Sequence, residues 1–372
     1  MPLPAHTRAL IDAAGLADIR QKVEAGERLS FEDGLHLYET RHLAAGGALA
    51  NHVRLRRHGR WTYFNNNLHI NYTNVCQYSC KFCAFAAKEG EERAYLMMPA
   101  DIERKMAEYA DTSITEVHMV AGIHPKMGYD YYLDVVRAAK RARPDVHVQA
   151  FTMVEIEHML NISGKTEDEV FADLREAGLG SCPGGGAEVL TNRVHKAVFH
   201  EKTGPDAWLA TARKVQQHGF KMNATMLYGH IERTPERVEH LVKLRELQDE
   251  CGGFMAFIPL AFWPYHTDLE HYGHVTTGWM DLRNIAVSRL MLDNFEHIKA
   301  YWIMLTPESA QTALQFGAND IDGTVTEEKI THDAGTSAPM ALTIAELKQL
   351  IEEAGFTPIQ RTTTYEEVGA GA

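Results

Sequence analysis

From Trp61 onward the chain alternates short apolar runs with longer amphipathic stretches, and this rhythm restricts the fold more than any other feature. The runs Leu68–Tyr72, Glu116–Val120, His147–Phe151, Leu179–Cys182, Met222–Met226, Ala256–Pro259, Ile298–Ile303 and Ala313–Gly317 read as strands. Between them stand helix signals: Pro99-Ala100-Asp101-Ile102-Glu103, Tyr131–Arg143, Trp208–His218 and Pro235–Cys251. Glycine follows a helix before the next strand in Ala177-Gly178 and His218-Gly219, as suits a helix C′ position. Strands alternating with helices predict an α/β fold with a parallel sheet, and eight strands are the number that closes a TIM-type (β/α)8 barrel. An open doubly wound sheet is the alternative. The first sixty residues read as helices, with Ser30 capping a turn that carries Glu32 and Asp33. The expected organisation is a helical extension over 1–60, a barrel over 61–342 and a C-terminal helix and tail over 343–372. The last helix, Thr343–Ala354, is expected to lead into a polar tail on the barrel exterior. A length of 372 residues suits one extended barrel as well as two or three domains of about 150 residues.

Thirty-seven Lys and Arg against 50 Asp and Glu give a net charge of −13, which argues against a nucleic-acid partner, since that needs a basic face. No run reaches the length of a membrane-spanning helix. The opening MPLPAHTRALIDAAG lacks the apolar core of a secretory signal, so a cytoplasmic location is expected. In such a reducing compartment cysteines bind metal more readily than they form disulfides. Of the five cysteines, Cys76, Cys80 and Cys83 crowd one loop after the first predicted strand, while Cys182 and Cys251 stand apart. In a barrel that loop lies on the catalytic face. Three thiolates on a short loop suit three corners of a cubane iron–sulfur cluster and leave its fourth iron open to a ligand. The alternative is a structural zinc site completed by His69 or His124, although zinc usually takes its ligands as two separated pairs.

The spacing Cys-x₃-Cys-x₂-Cys, with Phe82 before the last cysteine, resembles the signature of the radical S-adenosylmethionine superfamily. The resemblance implies a [4Fe-4S] cluster on Cys76, Cys80 and Cys83, with S-adenosylmethionine on the open iron. One electron would then cleave the S–C5′ bond to give an adenosyl radical, and a barrel mouth that excludes water would protect it. At the second strand end, the family's Gly-Gly-Glu-like turn for the cosubstrate's amino group carries over only to Gly122. His124 there is either a substrate contact or a turn cap before Pro125. Thr152 and Glu155 stand where ribose-binding groups would sit; Glu155 also suits a helix first turn. Pro183-Gly184-Gly185-Gly186-Ala187-Glu188 lets backbone approach a ligand and carries Glu188 toward the site. It is no P-loop, because no Lys-Ser/Thr pair follows. Tyr228 and His230 are candidates for an acid, a base or a carboxylate-binding role, with a structural histidine as the plain alternative. Ile258-Pro259-Leu260-Ala261-Phe262-Trp263-Pro264 reads as an apolar wall for an adenine or arene, or as ordinary packing.

Together Asn74, Phe82-Cys83-Ala84-Phe85, Gly122-Ile123-His124-Pro125, the triple-glycine loop, Tyr228-Gly229-His230 and Phe257-Ile258-Pro259 resemble one branch of the superfamily. That branch contains aminofutalosine synthase, dehypoxanthine futalosine cyclase and a subunit of deazaflavin synthase, and the likeness runs from Phe64 to Gly323. Ala224–Glu232 and Pro259–Phe262 look most like the synthases. The implied function is addition of the adenosyl radical to 3-[(1-carboxyvinyl)oxy]benzoate, giving 6-amino-6-deoxyfutalosine for menaquinone biosynthesis. The implied electron donor is a flavodoxin or ferredoxin. His230, Tyr228 and Glu188 would act in catalysis; Phe82, Gly122, Thr152, Glu155, Ile258 and Pro259 would bind the cosubstrate. The alternatives are a cyclase that abstracts hydrogen or, in another class, a non-catalytic iron–sulfur electron carrier.

Overall fold

Residues 3–272 and 275–369 are described in the computed structural model; the outer ends of both extensions, 1–2 and 370–372, lie outside the described residues. Among the described residues ten strands occur in chain order: β1 Trp61–Asn65, β2 Asn67–Ile70, β3 Glu116–Met119, β4 His147–Ala150, β5 Ser181–Cys182, β6 Lys221–Tyr228, β7 Phe254–Ala261, β8 His297–Ile298, β9 Asp320–Gly323 and β10 Thr357–Gln360. Strands β2 to β8 form one curled sheet in sequential order, with every neighbouring pair parallel. Helices connect them across the outer face, so each strand has one face on the helix layer and one on the barrel interior.

The eighth barrel position is taken by Asp320–Thr326. Lys299, just past β8, bridges to Asp320, and Leu68 of β2 bridges to Thr326. The His69 amide donates to the Thr326 carbonyl at 2.8 Å, and the Thr326 amide donates to Asn67 at 3.2 Å. The expected eighth strand at Ala313–Gly317 is therefore a correction: that segment ends the helix Pro307–Ala313 and continues as a 3₁₀ turn, Leu314–Phe316. Thr306 caps that helix, Pro307 sits in its first turn, and Gly317 stops it in the left-handed region at φ +111°. Ile298–Ile303 shrinks likewise to His297–Ile298, because Trp302–Leu305 turns helical.

Four helices, Ala5–Ala13, Ala17–Ala25, Phe31–Glu39 and Leu43–His58, precede β1, and the last packs along Gly278–Met291. Ser30 and Asp33 close a reciprocal capping box: the Asp33 amide donates to Ser30 Oγ at 3.2 Å and the Ser30 amide to Asp33 at 2.8 Å. The tail differs from the expectation of a polar exterior segment. After the helix Ile344–Glu353, β10 pairs with β1, and the chain then passes beneath the barrel. There the buried Arg361 meets Asp320 at 2.6 Å, the Thr363 hydroxyl donates to Glu116 at 2.7 Å, and Tyr365 stacks on His297 at 3.5 Å. The Asp320 carboxylate offsets the cost of burying the Arg361 charge. Among the described residues no helix is long and apolar enough to cross a membrane.

Candidate active site

A cavity of about 330 Å³ occupies the barrel interior, with the cysteine loop as part of its wall. Cys76, Cys80 and Cys83 all line it as free, half-buried thiols. Two cations hold the loop. The Lys88 ammonium donates to the carbonyls of Cys76 at 3.1 Å and Tyr78 at 3.0 Å, and the Arg93 guanidinium donates to Ala84 at 2.8 Å and also to Ala86. Asn74 fixes the loop's exit through Arg93 and Tyr95, at 2.8 and 2.9 Å. Burial pushes the Cys80 thiol up to about 12, against the pull of nearby Lys202. Three soft donors on one braced loop match a cluster that needs three protein ligands. Of the two histidines weighed as zinc ligands, His124 does not line the cavity, and His69 lies within β2, stacked on His118.

Gly122 lies against this loop, and its missing side chain is a requirement. A Cβ there would stand 2.5 Å from the Val75 carbonyl oxygen and 3.1 Å from the Cys76 Cβ. Thr152 also lines the cavity and caps the helix Met153–Ile162. Glu155 does not line it: the buried carboxylate accepts from Tyr72 at 2.5 Å, from the Thr152 amide at 2.7 Å, and from the Ala121 backbone. Its position ties the turn before Gly122 to the next strand end.

Burial pushes the Glu155 carboxyl up to about 7, against those hydrogen bonds, from an ordinary value of 4.5. Between these two values the folded chain keeps a proton that the unfolded chain has released, so this group's contribution to stability falls as pH rises and then levels off. At 1.36 kcal/mol per unit the loss is on the order of 3 kcal/mol. Urea midpoints measured from about pH 5 to about pH 8 should therefore drop more in the wild type than in Glu155→Gln. Parallel profiles would contradict the buried, proton-retaining carboxyl.

Phe82 lines the cavity edge-on to Phe199 at 6.0 Å, and Lys202 sits 5.1 Å from the Phe82 ring centre. Lys202 pairs with Glu188 at 2.5 Å, both largely buried, and Glu188 holds a left-handed φ of +48°. Although burial opposes its charge, Glu188 keeps the Lys202 pKa above the ordinary lysine value. Ile258, Leu260 and Phe262 line the wall, whereas Pro259 does not, because successive residues of β7 face opposite sides of the sheet.

Two catalytic candidates lie off the cavity, the first by the same alternation. In β6, Asn223, Thr225 and Leu227 face inward, which turns Tyr228 outward. Its buried hydroxyl donates to Asp281 at 2.8 Å, between barrel and helix shell. His230 is also off the cavity: Nε2 meets the Leu227 carbonyl at 3.0 Å, and Nδ1 stands 3.3 Å from Glu232 without an aligned hydrogen bond.

Sequence reasoning missed the polar inner layer. His69, Glu116, His118, Gln149, Lys299 and Asp322 all reach the cavity. His69 and His118 stack at 4.5 Å, 8° from parallel, and burial lowers the pKa of each. The signal was available: polar residues recur every second position inside apolar strand runs, as in Glu116-Val117-His118 and Asn223-Ala224-Thr225.

A parallel barrel that turns three thiols of one braced loop into its own interior belongs to a class of enzymes that keep an iron–sulfur cluster at the barrel mouth. Comparison with known proteins agrees. Residues 70–245 match the family described as Radical SAM superfamily, and residues 251–370 match the CofH/MqnC C-terminal region. The chain is 47% identical to an aminodeoxyfutalosine synthase of Thermus thermophilus, covering 95% of this chain and 96% of that one. It is 42% identical to an aminodeoxyfutalosine synthase of Streptomyces coelicolor, covering 96% and 95%, and 36% identical to a cyclic dehypoxanthine futalosine synthase of Halalkalibacterium halodurans, covering 94% of each. Among solved structures, methylornithine synthase shares the fold with a TM-score of 0.73 at 17% identity, covering 91% of this chain and 97% of that one. The chain belongs to the radical S-adenosylmethionine superfamily, in the group that carries the CofH/MqnC C-terminal region. It is a radical enzyme whose cofactors are a [4Fe-4S] cluster and S-adenosylmethionine.

Proposed function

We propose that this enzyme is the aminodeoxyfutalosine synthase of a futalosine route to menaquinone. The observation that carries the reading is 47% identity over 95% of the chain to a protein of that name, against 36% to a cyclic dehypoxanthine futalosine synthase. When bound, the cluster supplies the electron that cleaves the S–C5′ bond of S-adenosylmethionine. The adenosyl radical would add to the enol-ether double bond of 3-[(1-carboxyvinyl)oxy]benzoate; the aryl group would then migrate from oxygen to the adduct carbon, and loss of the carboxylate as CO₂ would give back the one electron supplied and leave an aryl ketone.

The chain's residues divide the work. Cys76, Cys80 and Cys83 hold the cluster from the loop braced by Lys88 and Arg93. The backbone at Gly122 and the hydroxyl of Thr152 receive polar ends of the cosubstrate, and Glu188, oriented by Lys202, faces the same space. Phe82 and Ile258 lie against its adenosyl group, while Leu260 and Phe262 continue the wall past the arene. Tyr228, His230, Glu155 and Pro259 take no contact role, since none reaches the cavity. An apolar wall beside a few fixed polar groups suits a radical step, in which placement of the alkene selects addition over hydrogen abstraction. The electron donor is a small one-electron carrier such as flavodoxin or ferredoxin.

The fate of C5′ tests the reading. Anaerobic turnover with S-adenosylmethionine labelled in its adenosyl carbons should place most of the label in a larger adenine-containing product. Free 5′-deoxyadenosine should be an uncoupled minority. Stoichiometric labelled 5′-deoxyadenosine beside an unlabelled product would replace the synthase with the cyclase.

A further inference from the structure

The inner layer of the cavity holds polar groups that the protein itself leaves without partners. Lys299, just past β8, is buried, and among the described residues its ammonium makes one side-chain contact, with Asp322 Oδ2 at 3.5 Å. That is the outer limit of a hydrogen bond, and an ammonium has three donors to place. His69 Nε2 and Asn223 Oδ1 are buried in the same wall with no hydrogen-bond partner. Their residues are 6% and 2% exposed. Three strands thus aim a cation, an imidazole and an amide into one space, an arrangement that is costly unless a ligand answers it.

The carboxylates nearby are already engaged. Glu116 accepts from Asn65 at 3.2 Å and from Thr363 at 2.7 Å, Asp320 is paired with Arg361, and Asp322 accepts from Asn67 at 3.4 Å. Three acids and two cations give this layer no long-range pull on anions, so recognition must be local, through donors that lack an acceptor. A carboxylate supplies two oxygens for such donors, and the Asn223 amide serves one of them in its flipped orientation, with NH₂ in the place of the unpartnered Oδ1. The cysteine loop lies past the C-terminal end of β2, whereas His69 and Asn223 lie within their strands, one layer deeper. The end of a substrate remote from C5′ reaches that depth.

We propose that Lys299, His69 and Asn223 form the subsite for the ring carboxylate of the aromatic substrate. The assignment rests on the synthase reading above and goes beyond it by naming the residues that grip one end of the substrate.

The test is binding, without turnover. The anaerobic holoenzyme with S-adenosylmethionine and no reductant is titrated with 3-[(1-carboxyvinyl)oxy]benzoate and with the analogue that lacks the ring carboxylate. In the wild type, removing that carboxylate should raise Kd roughly 10- to 100-fold, the effect of deleting one charge-assisted hydrogen bond. Lys299→Met should raise Kd for the full ligand by a similar factor and leave the analogue's Kd where it was. Asn223→Leu should show the same pattern with a smaller factor, and it decides the matter if Lys299→Met loses its fold or its iron. Equal weakening of both ligands, or of neither, overturns the subsite while the synthase reading stands on wild-type turnover. A wild type that binds neither ligand and makes no labelled adduct overturns both.

Discussion

Cys80→Ala protein, reconstituted anaerobically with iron and sulfide, should keep its fold and lose reductive cleavage of S-adenosylmethionine down to the background rate. The thiol stands on a loop held from outside by Lys88 and Arg93, through backbone carbonyls that the substitution does not touch. The strand and helix core does not depend on it, so the circular dichroism spectrum and urea midpoint should stay near wild type. Chemistry depends on it completely, since two thiols cannot hold a cluster that three already leave with an open corner. Iron and sulfide content and the yield of 5′-deoxyadenosine are the measurements. Cys251→Ala is the control, because that cysteine ends the helix Thr234–Cys251, away from the cavity. Wild-type cleavage by Cys80→Ala, or loss of iron from Cys251→Ala, would contradict the assignment of the cluster to this loop.

The largest stability effect is expected at Gly184. The first glycine of the triple runs so close to β6 that a Cβ would lie 1.8 Å from the Asn223 carbonyl oxygen and 2.4 Å from its carbon. Both are backbone atoms of a central strand and cannot swing aside. The residue also sits at φ +79°, where an L side chain is strained. Left-handed strain of about 1–2 kcal/mol and overpacking of about 1–3 kcal/mol together put Gly184→Ala at about 2–5 kcal/mol. Against a typical total of about 5–15 kcal/mol, that is a large share. Gly46→Ala provides the contrast: it lies inside the helix Leu43–His58 with nothing within 4 Å of its Cβ position, and should be neutral or stabilising by up to about 1 kcal/mol. Urea unfolding of the two variants measures both expectations, and equal midpoints would refute the close approach at Gly184.

Seven of the barrel strands were legible because the side chains turned to the helix layer are apolar, with polar residues between them turned into the cavity. The eighth was hidden for a physical reason. Asp320-Ile321-Asp322-Gly323 is half acidic, since its inward side chains meet Arg361 and Lys299 rather than a dry core. The apolar Ala313–Gly317 run competed for the assignment, yet it closes a helix at a left-handed glycine. The cysteine loop was legible from spacing alone, because a cluster needs its donors close together in the chain. Tyr228 and His230 misled for the opposite reason: nearness to a strand end in the chain says nothing about which way the pleat turns a side chain. One step along β6 separates Leu227, on the cavity, from Tyr228, which bonds to Asp281 behind it. The alternation around His69 shows which way it faces but not what it does; its role and that of Lys299 emerge only when distant strands converge.

The path of the last residues beneath the barrel has a consequence for how a reactive radical is contained. Arg361, Thr363 and Tyr365 act as a stopper: they join Asp320, Glu116 and His297 at the end of the barrel opposite the cysteine loop. Among the described residues these side chains cover that end of the chamber. On the synthase reading, the cosubstrate and the aromatic substrate enter from the loop side, and the stopper keeps water from the chamber's lower end. Shortening the C-terminus would unseal the reaction space as well as trim the exterior, and leakage to solvent would show as futile consumption of S-adenosylmethionine.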